Sequence, residues 1–162
     1  MGFEIDSKRG VAASYGVRTT NGKFGGQQST KNGVVKSAVW DFKYNDLPNY
    51  GSNGLQFTLP ANTTIVSAKL YVDVAFTSTS TTTDLDVGLY TAAGAAIAAS
   101  GLISASEATQ TAIGTAGNVV TGAGSLIGKT IGGTAGELVV TPTVADLTAG
   151  QGRIVVEYVY DK

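Results

Sequence analysis

The sequence predicts an all-β protein, an antiparallel β-sandwich or jelly roll with an extended N-terminal arm and at most one short helix. Residues 65–76 alternate apolar and mixed side chains throughout, and several shorter alternating stretches are separated by turns. No region alternates strand with helix, as a parallel sheet requires. Charged residues are only 14% of the chain. A composition rich in small residues favours tightly packed β-structure.

Residues 1–35 differ in charge from the rest of the chain. Six basic side chains and no acidic one lie from Lys8 to Lys36, and glycines are frequent in the same stretch. Glycine-rich backbone loses much entropy when it becomes ordered. We therefore predict an extended arm over 1–35, poorly ordered on its own, and a β-sandwich domain over 36–162. The alternative is a solvated tail without a binding role.

The domain is predicted to begin with an aromatic strand that ends at Asp46–Pro48. One face of this strand carries Ala38, Trp40, Phe42 and Tyr44. A short strand over 55–59 follows, and Pro60 turns the chain into the long strand over 65–76. That strand would extend for about 40 Å. Its predicted apolar face consists of Val66, Ala68, Leu70, Val72, Val74 and Phe76.

The later elements are predicted from alternation and composition. Residues 84–90 alternate as a strand and are expected to form a hairpin with 65–76. In residues 91–125, 26 of 35 side chains are Gly, Ala, Ser or Thr. Ser104 and Glu107 have capping-box spacing, which predicts a short helix near 105–112. A low-complexity linker is the alternative. Three further strands are predicted, over 126–131, 137–141 and 153–160.

Composition excludes several classes of function. The chain has no cysteine and no histidine, so it lacks thiolate chemistry and the commonest general base and metal ligand. The formal net charge of -1 indicates no general attraction to nucleic acid. No apolar run approaches the roughly 20 residues of a membrane span. We expect no enzymatic activity, no metal and no cofactor, and neither nucleic acid nor membrane as a partner.

Two motifs invite a chemical interpretation. Residues 123–130, AGSLIGKT, match a relaxed P-loop, which requires a helix directly after Lys129. Gly132, Gly133 and Gly136 follow instead, so we predict no nucleotide binding. Asp84 and Asp86 stand two apart, yet two carboxylates on one strand lack the six to eight oxygens that Ca²⁺ takes. A solvated strand face is the simpler interpretation.

The order of strands and turns over about 38–160 resembles small structural proteins of tailed bacteriophages. The best-matching pieces are TLPANTTIVSAKLYV and AGQGRIVVEYV. Proteins of this kind are jelly rolls or sandwiches that decorate or cement the capsid. The resemblance implies a virion protein on the capsid exterior, bound to the major capsid protein, with a symmetric homo-oligomer such as a trimer as one arrangement. It brings no catalytic residues with it.

The expected capsid contact is the basic arm. The candidate binding residues are Lys8, Arg9, Arg18, Lys23 and Lys31 of the arm and Lys36 directly after it. Within viruses, a head-fibre or tail-associated subunit is the alternative function. A different class is a carbohydrate-binding β-sandwich, for which Trp40, Tyr44 and Tyr50 would form the stacking platform.

Overall fold

The computed structural model describes residues 4–7, 10–15, 26–29, 34–47 and 58–160, the first three ranges as strand backbone only. The described strands are β1 (Glu4–Ser7), β2 (Gly10–Tyr15), β3 (Gly26–Ser29), β4 (Val35–Lys43), β5 (Thr58–Leu59), β6 (Thr63–Ser78), β7 (Leu85–Tyr90), β8 (Ala96–Ile103), β9 (Val119–Thr121), β10 (Gly136–Pro142) and β11 (Leu147–Tyr160). A 3-10 turn spans Tyr44–Asp46, and the helix α1 spans Gln110–Ile113.

Two four-stranded antiparallel sheets form the sandwich. The sheet with strand order β4-β11-β6-β9 is called the long sheet here, and the sheet with order β5-β10-β7-β8 the short sheet. All their pairings are antiparallel. The predicted all-β sandwich with a short helix is confirmed. The expected strands over 137–141 and 153–160 lie within β10 and β11.

The N-terminal strands form a separate antiparallel sheet with the order β1-β2-β3. Glu4 pairs with Ala13, and Ala13 pairs with Gln28. The first strand of the sandwich begins at Val35. The division into an arm over 1–35 and a domain over 36–162 remains a prediction.

The core lies between the two sheets and is built from the inward positions of both. The long sheet contributes Leu70, Val72, Ile154 and Val156, and the short sheet contributes Val87, Leu89, Leu138 and Val140. Phe42 and Phe76 stack with ring centroids 5.6 Å apart. Each such side chain contributes about 1.5–3 kcal/mol when fully buried. Burial of this core holds the two sheets face to face.

The alternation predicted for β6 is correct only in its middle. Ala68, Leu70, Val72 and Phe76 are buried, but Val66 and Val74 are 42% and 51% exposed, while Ile65 is fully buried. The pairing with β11 passes from Ser67 to Ile65 and from Val74 to Val72 across single steps of β11. Val66 and Asp73 are thus extra residues in bulges, and a bulge moves the following side chains to the other face. The predicted apolar face was wrong at Val66 and Val74 for this reason.

The predicted hairpin between 65–76 and 84–90 is also wrong. β7 pairs with β10 and β8 in the short sheet, whereas both edges of β6 are taken by β11 and β9. The hydroxyl-rich connection after β6 therefore crosses from one sheet to the other. The Ser78 and Thr83 hydroxyls are hydrogen-bonded across it at 2.7 Å. The crossing lets Leu85, Val87 and Leu89 face the core from the opposite side.

Two other predicted elements differ from the structure, and a third is described only in part. The helix begins after the N-cap Thr109 rather than near residue 105, and the Glu107 side chain serves a turn before it. Residues 126–131 are turns with one isolated bridge, between Thr64 and Thr130, and not a strand. Of the strand predicted over 55–59, Thr58 and Leu59 form β5, and residues 55–57 lie outside the described residues.

Candidate interaction surfaces

One of the six basic residues predicted to bind a capsid is described by the structure. Lys36 lies near the start of β4 and is exposed, with its Nζ 5.5 Å from the centroid of the Tyr160 ring. That distance allows a cation–π interaction. Five candidates lie outside the described residues, namely Lys8, Arg9, Arg18, Lys23 and Lys31.

The aromatic side chains proposed as a sugar-stacking platform do not form one flat surface in the described part of the chain. Trp40 is only partly exposed and stacks on Phe42, with centroids 4.6 Å apart and ring planes 16° apart. Tyr44 is 39% exposed and belongs to the 3-10 turn after β4. Tyr50 lies outside the described residues. Trp40 therefore extends the row of core rings that continues through Phe42 to Phe76.

The P-loop-like segment and the glycine before it, residues 122–130, form backbone hydrogen bonds to both sheets. The N–H groups of Gly122 and Gly128 donate to the carbonyl oxygens of Ala68 and Ile65 in the long sheet, at 2.9 and 2.8 Å. Those of Gly124 and Leu126 donate to Leu102 and Gly101 of the short sheet, at 3.2 and 2.9 Å. A phosphate cradle needs such amides free. These four are already engaged.

The packing and backbone conformation of this segment require glycine at three positions. A Cβ on Gly122 or Gly124 would overlap the backbone of β8, and Gly128 has a positive φ of 76°. The Lys129 carbonyl accepts the Ile65 N–H at 3.0 Å, and no helix follows Lys129. The GKT sequence thus sits in a tight turn between the sheets.

The two aspartates considered as calcium ligands each bind a backbone amide. Asp84 Oδ1 accepts from the Gln110 N–H at 2.7 Å, and Asp86 Oδ1 accepts from the Ala105 N–H at 2.8 Å. Glu107 acts in the same way: its two carboxylate oxygens accept from Ser104 and Ala123 at 2.8 and 2.7 Å. These carboxylates fasten the loops of residues 104–123. Within the described ranges, no group of three or more acidic side chains is placed to hold a metal ion.

One buried carboxylate has an oxygen without a hydrogen-bond partner. Glu137 on β10 is 8% exposed, and its Oε2 is buried without a hydrogen-bond partner. Its Cα is paired with Tyr90 of β7 and with Thr58 of β5. Burial of the ring, with a smaller effect of the Asp86 charge, raises the pKa of Tyr90 above its ordinary value of 10.0. Glu137 and Tyr90 are therefore partly shielded from water on the outer face of the short sheet.

The outer face of the long sheet carries most of the exposed large apolar side chains. Val39, Val74 and Val119 are 55%, 51% and 49% exposed. Beside them, Arg153 Nη2 lies 3.2 Å from Asp73 Oδ1, and Arg153 Nε lies 3.9 Å from Asp41 Oδ1. The Arg153 Cζ lies 5.5 Å from the centroid of the Tyr71 ring. Sequence reasoning missed this surface because it placed Val74 in the core. The Val39/Asp41/Lys43 alternation was the available signal for an outward face.

The fold is thus an antiparallel β-sandwich with an apolar core. Residues 122–130 connect its two sheets by hydrogen bonds, and the outer face of the long sheet carries both apolar and charged side chains. No helix in the described part of the chain is both long and apolar enough to cross a membrane. No protein-family model matches the sequence, and neither does any curated protein.

Three solved structures of phage capsids contain chains with a similar fold. A chain of the cyanophage Pam1 capsid asymmetric unit has a TM-score of 0.61 and 18% identity, over 88% of this chain and 96% of that one. A chain of the Ralstonia phage GP4 capsid has a TM-score of 0.59 and 23% identity, over 83% and 90%. A chain of the acid-stable capsid of Helicobacter pylori bacteriophage KHP30 has a TM-score of 0.54 and 20% identity, over 81% and 91%. At these identities the likeness establishes a common fold.

Proposed function

We propose that this protein is a structural component of a tailed-bacteriophage virion that binds the outer surface of the capsid, as a decoration or cement protein. The observation that carries the proposal is the extent of the fold likeness. More than 80% of this chain matches at least 90% of each of three solved chains from phage capsids. The likeness thus covers whole chains of similar size rather than a module within larger proteins.

The chemistry of the chain favours a binding role over catalysis. It has no histidine or cysteine. The Asp84 and Asp86 carboxylates, the candidate calcium ligands, accept hydrogen bonds from backbone amides instead. Side chains committed to such bonds stabilise loops and are poorly placed for proton transfer. The partner we propose is the major capsid protein.

The N-terminal arm is the proposed anchor. Its basic residues from Lys8 to Lys36 are not interrupted by any acidic one. A segment that becomes ordered on binding covers a large area with modest affinity per contact, which suits attachment to an extended shell. Attraction between this arm and an acidic capsid face would weaken with salt, because exposed charges are screened over about 8 Å at physiological ionic strength.

The test is co-sedimentation of the purified protein with capsids that lack it, at low and high salt. We expect binding that weakens as salt increases. Two variants locate the contact. The six candidate basic residues from Lys8 to Lys36 changed to Gln should abolish binding, whereas Lys69→Gln with Lys129→Gln should preserve it. Absence of binding together with a clear signal on a glycan array would overturn the proposal in favour of carbohydrate binding. Labelling confined to fibres or tails in electron micrographs would favour the alternative position on the virion.

A further inference from the structure

The four outer edges of the two sheets differ in length and in how far other backbone covers them. An exposed sheet edge presents unpaired N–H and C=O groups and invites another strand, so proteins shorten or cover such edges. Here β5 has two residues and β9 has three. The β8 edge is covered only near its C-terminal end, where the amides of Gly124 and Leu126 donate to Leu102 and Gly101. Two edges are therefore short, and a third is covered over part of its length.

The β4 edge is different. This strand has nine residues and, among the described strands, pairs only with β11, through Cα partners from Val35 to Lys43. Its other edge is long enough for a full strand. Val35 and Val39, on its outer face, are 52% and 55% exposed.

The middle of the β4 edge carries no charge. Lys36 and Lys43 stand near its two ends. Asp41 is directed toward β11, where its Oδ1 lies 3.9 Å from Nε of Arg153. Lysines are a common protection of edge strands. Here they flank a central stretch, Ser37–Trp40, that has no charge.

We propose that β4 pairs with β4 of a second copy of this chain, antiparallel, about a two-fold axis that passes beside Val39. The long sheets of the two copies, four strands each, would join into one continuous sheet. This proposal goes beyond the proposed function, because it concerns the protein alone and does not require a capsid.

The sequence of β4 is compatible with pairing to itself in that register. With Val39 opposite its own copy, Ser37 faces Asp41, Val35 faces Lys43, Lys36 faces Phe42 and Ala38 faces Trp40. No two like charges stand opposite each other, and like charges in directly opposed positions are destabilising. All nine residues of each strand find a partner in this register.

A second copy is also the occupant that completes the arrangement. In a two-fold contact the same surface is used on both sides, so both free edges are consumed and no further strand can add. A strand from a different protein would pair with one edge and leave its own outer edge to be covered. Self-pairing is therefore the closed solution to the exposed edge of β4.

The first experiment uses an introduced thiol. Because the chain has no cysteine, Val39→Cys carries a single thiol that should lie opposite itself. Directly opposed residues of antiparallel strands have Cα atoms about 4.5–5.5 Å apart, within disulfide range. We expect a disulfide-linked dimer under mild oxidation at low protein concentration. The matched control is Val74→Cys, exposed to a similar extent on β6, an inner strand of the sheet, and it should remain mostly monomeric.

The second experiment measures association by sedimentation equilibrium. We expect a concentration-dependent dimer for the full-length protein. Val39→Lys places two lysines at the axis and should raise the dimer Kd about fivefold or more. Val74→Lys should leave the Kd unchanged. Circular dichroism of each variant verifies that the fold is retained.

Several results would overturn the proposal. A protein that remains monomeric at all accessible concentrations does not use this edge, and a trimer is incompatible with two-fold pairing. A dimer insensitive to Val39→Lys, or equal cross-linking of the two cysteine variants, would assign the interface to another surface. None of these results bears on capsid binding, which is measured separately.

Discussion

The Phe76 ring lies directly over the backbone of Gly150, where a Cβ would overlap the ring. Gly150 also has a φ of +126°, a backbone conformation that residues other than glycine rarely adopt. This contact lies where the pairing of β6 and β11 shifts register. A residue without a side chain is therefore required beside one of the largest buried rings of the core.

Gly150→Ala should lower the free energy of unfolding by at least about 2 kcal/mol, because it adds both steric overlap and backbone strain. Thermal denaturation should show a Tm lower by roughly 5 °C or more. The control is Gly132→Ala, where a Cβ meets nothing within 4 Å, and its Tm should change little. Equal stability of the two variants would mean that Phe76 is not packed on Gly150.

The bulges of β6 are tested by two substitutions on the same strand. Leu70 is fully buried and Val74 is 51% exposed. Leu70→Ala should cost about 2–5 kcal/mol through lost burial and a cavity. Val74→Ala should change stability by no more than about 0.5 kcal/mol. Urea denaturation of both variants measures the difference. A large loss for Val74→Ala would restore the uninterrupted alternation predicted from the sequence.

Glu137 offers a stabilising substitution. Its Oε2 is buried without a partner, and a buried polar group without a hydrogen bond is unfavourable. Glu137→Met, of similar shape, should raise the free energy of unfolding by about 1 kcal/mol and the Tm by roughly 2–4 °C. The control Glu157→Met should not stabilise, because it removes the 2.7 Å bond from the Ser67 hydroxyl. A Tm lowered by Glu137→Met would reveal a partner for this carboxylate.

Tyr90 should contribute to the loss of stability at alkaline pH. Its pKa is raised by burial and, less, by Asp86. A raised folded-state pKa adds stability that is fully present below the ordinary value of 10.0 and is lost as pH rises through the folded-state value. Tyr90→Phe should therefore reduce the fall in unfolding free energy above about pH 10. A Tyr90→Phe variant whose stability falls as steeply as that of the wild type above this pH would contradict the expectation.

The arm is tested by a chain that begins at Val34. We expect this chain to keep a β-type circular dichroism spectrum and a cooperative melt, since the described core residues begin at Ala38. It should fail to co-sediment with capsids that bind the full-length protein. Undiminished binding would place the contact on the sandwich. Failure to fold would mean that residues before Val34 belong to the folded domain.

Local patterns in the sequence were sufficient to predict the class of fold and several strands. Alternation located β11, whose buried side chains include Ile154 and Val156. The spacing of Ser104 and Glu107 indicated a local hydrogen bond, although the helix predicted there begins only after Thr109. The glycines after Lys129 correctly indicated that no helix follows. These features depend on neighbours a few residues apart, so the sequence alone carries them.

Features that depend on distant partners required the folded structure. Val66 and Val74 leave the core because bulges form against β11, which is distant from β6 in the sequence. β7 joins the short sheet because both edges of β6 are occupied by β11 and β9. That β4 pairs with β11 alone among the described strands likewise appears only once those strands have been placed. Alternation assigns a side chain to one of two faces, whereas strand partners and bulges determine which face is buried.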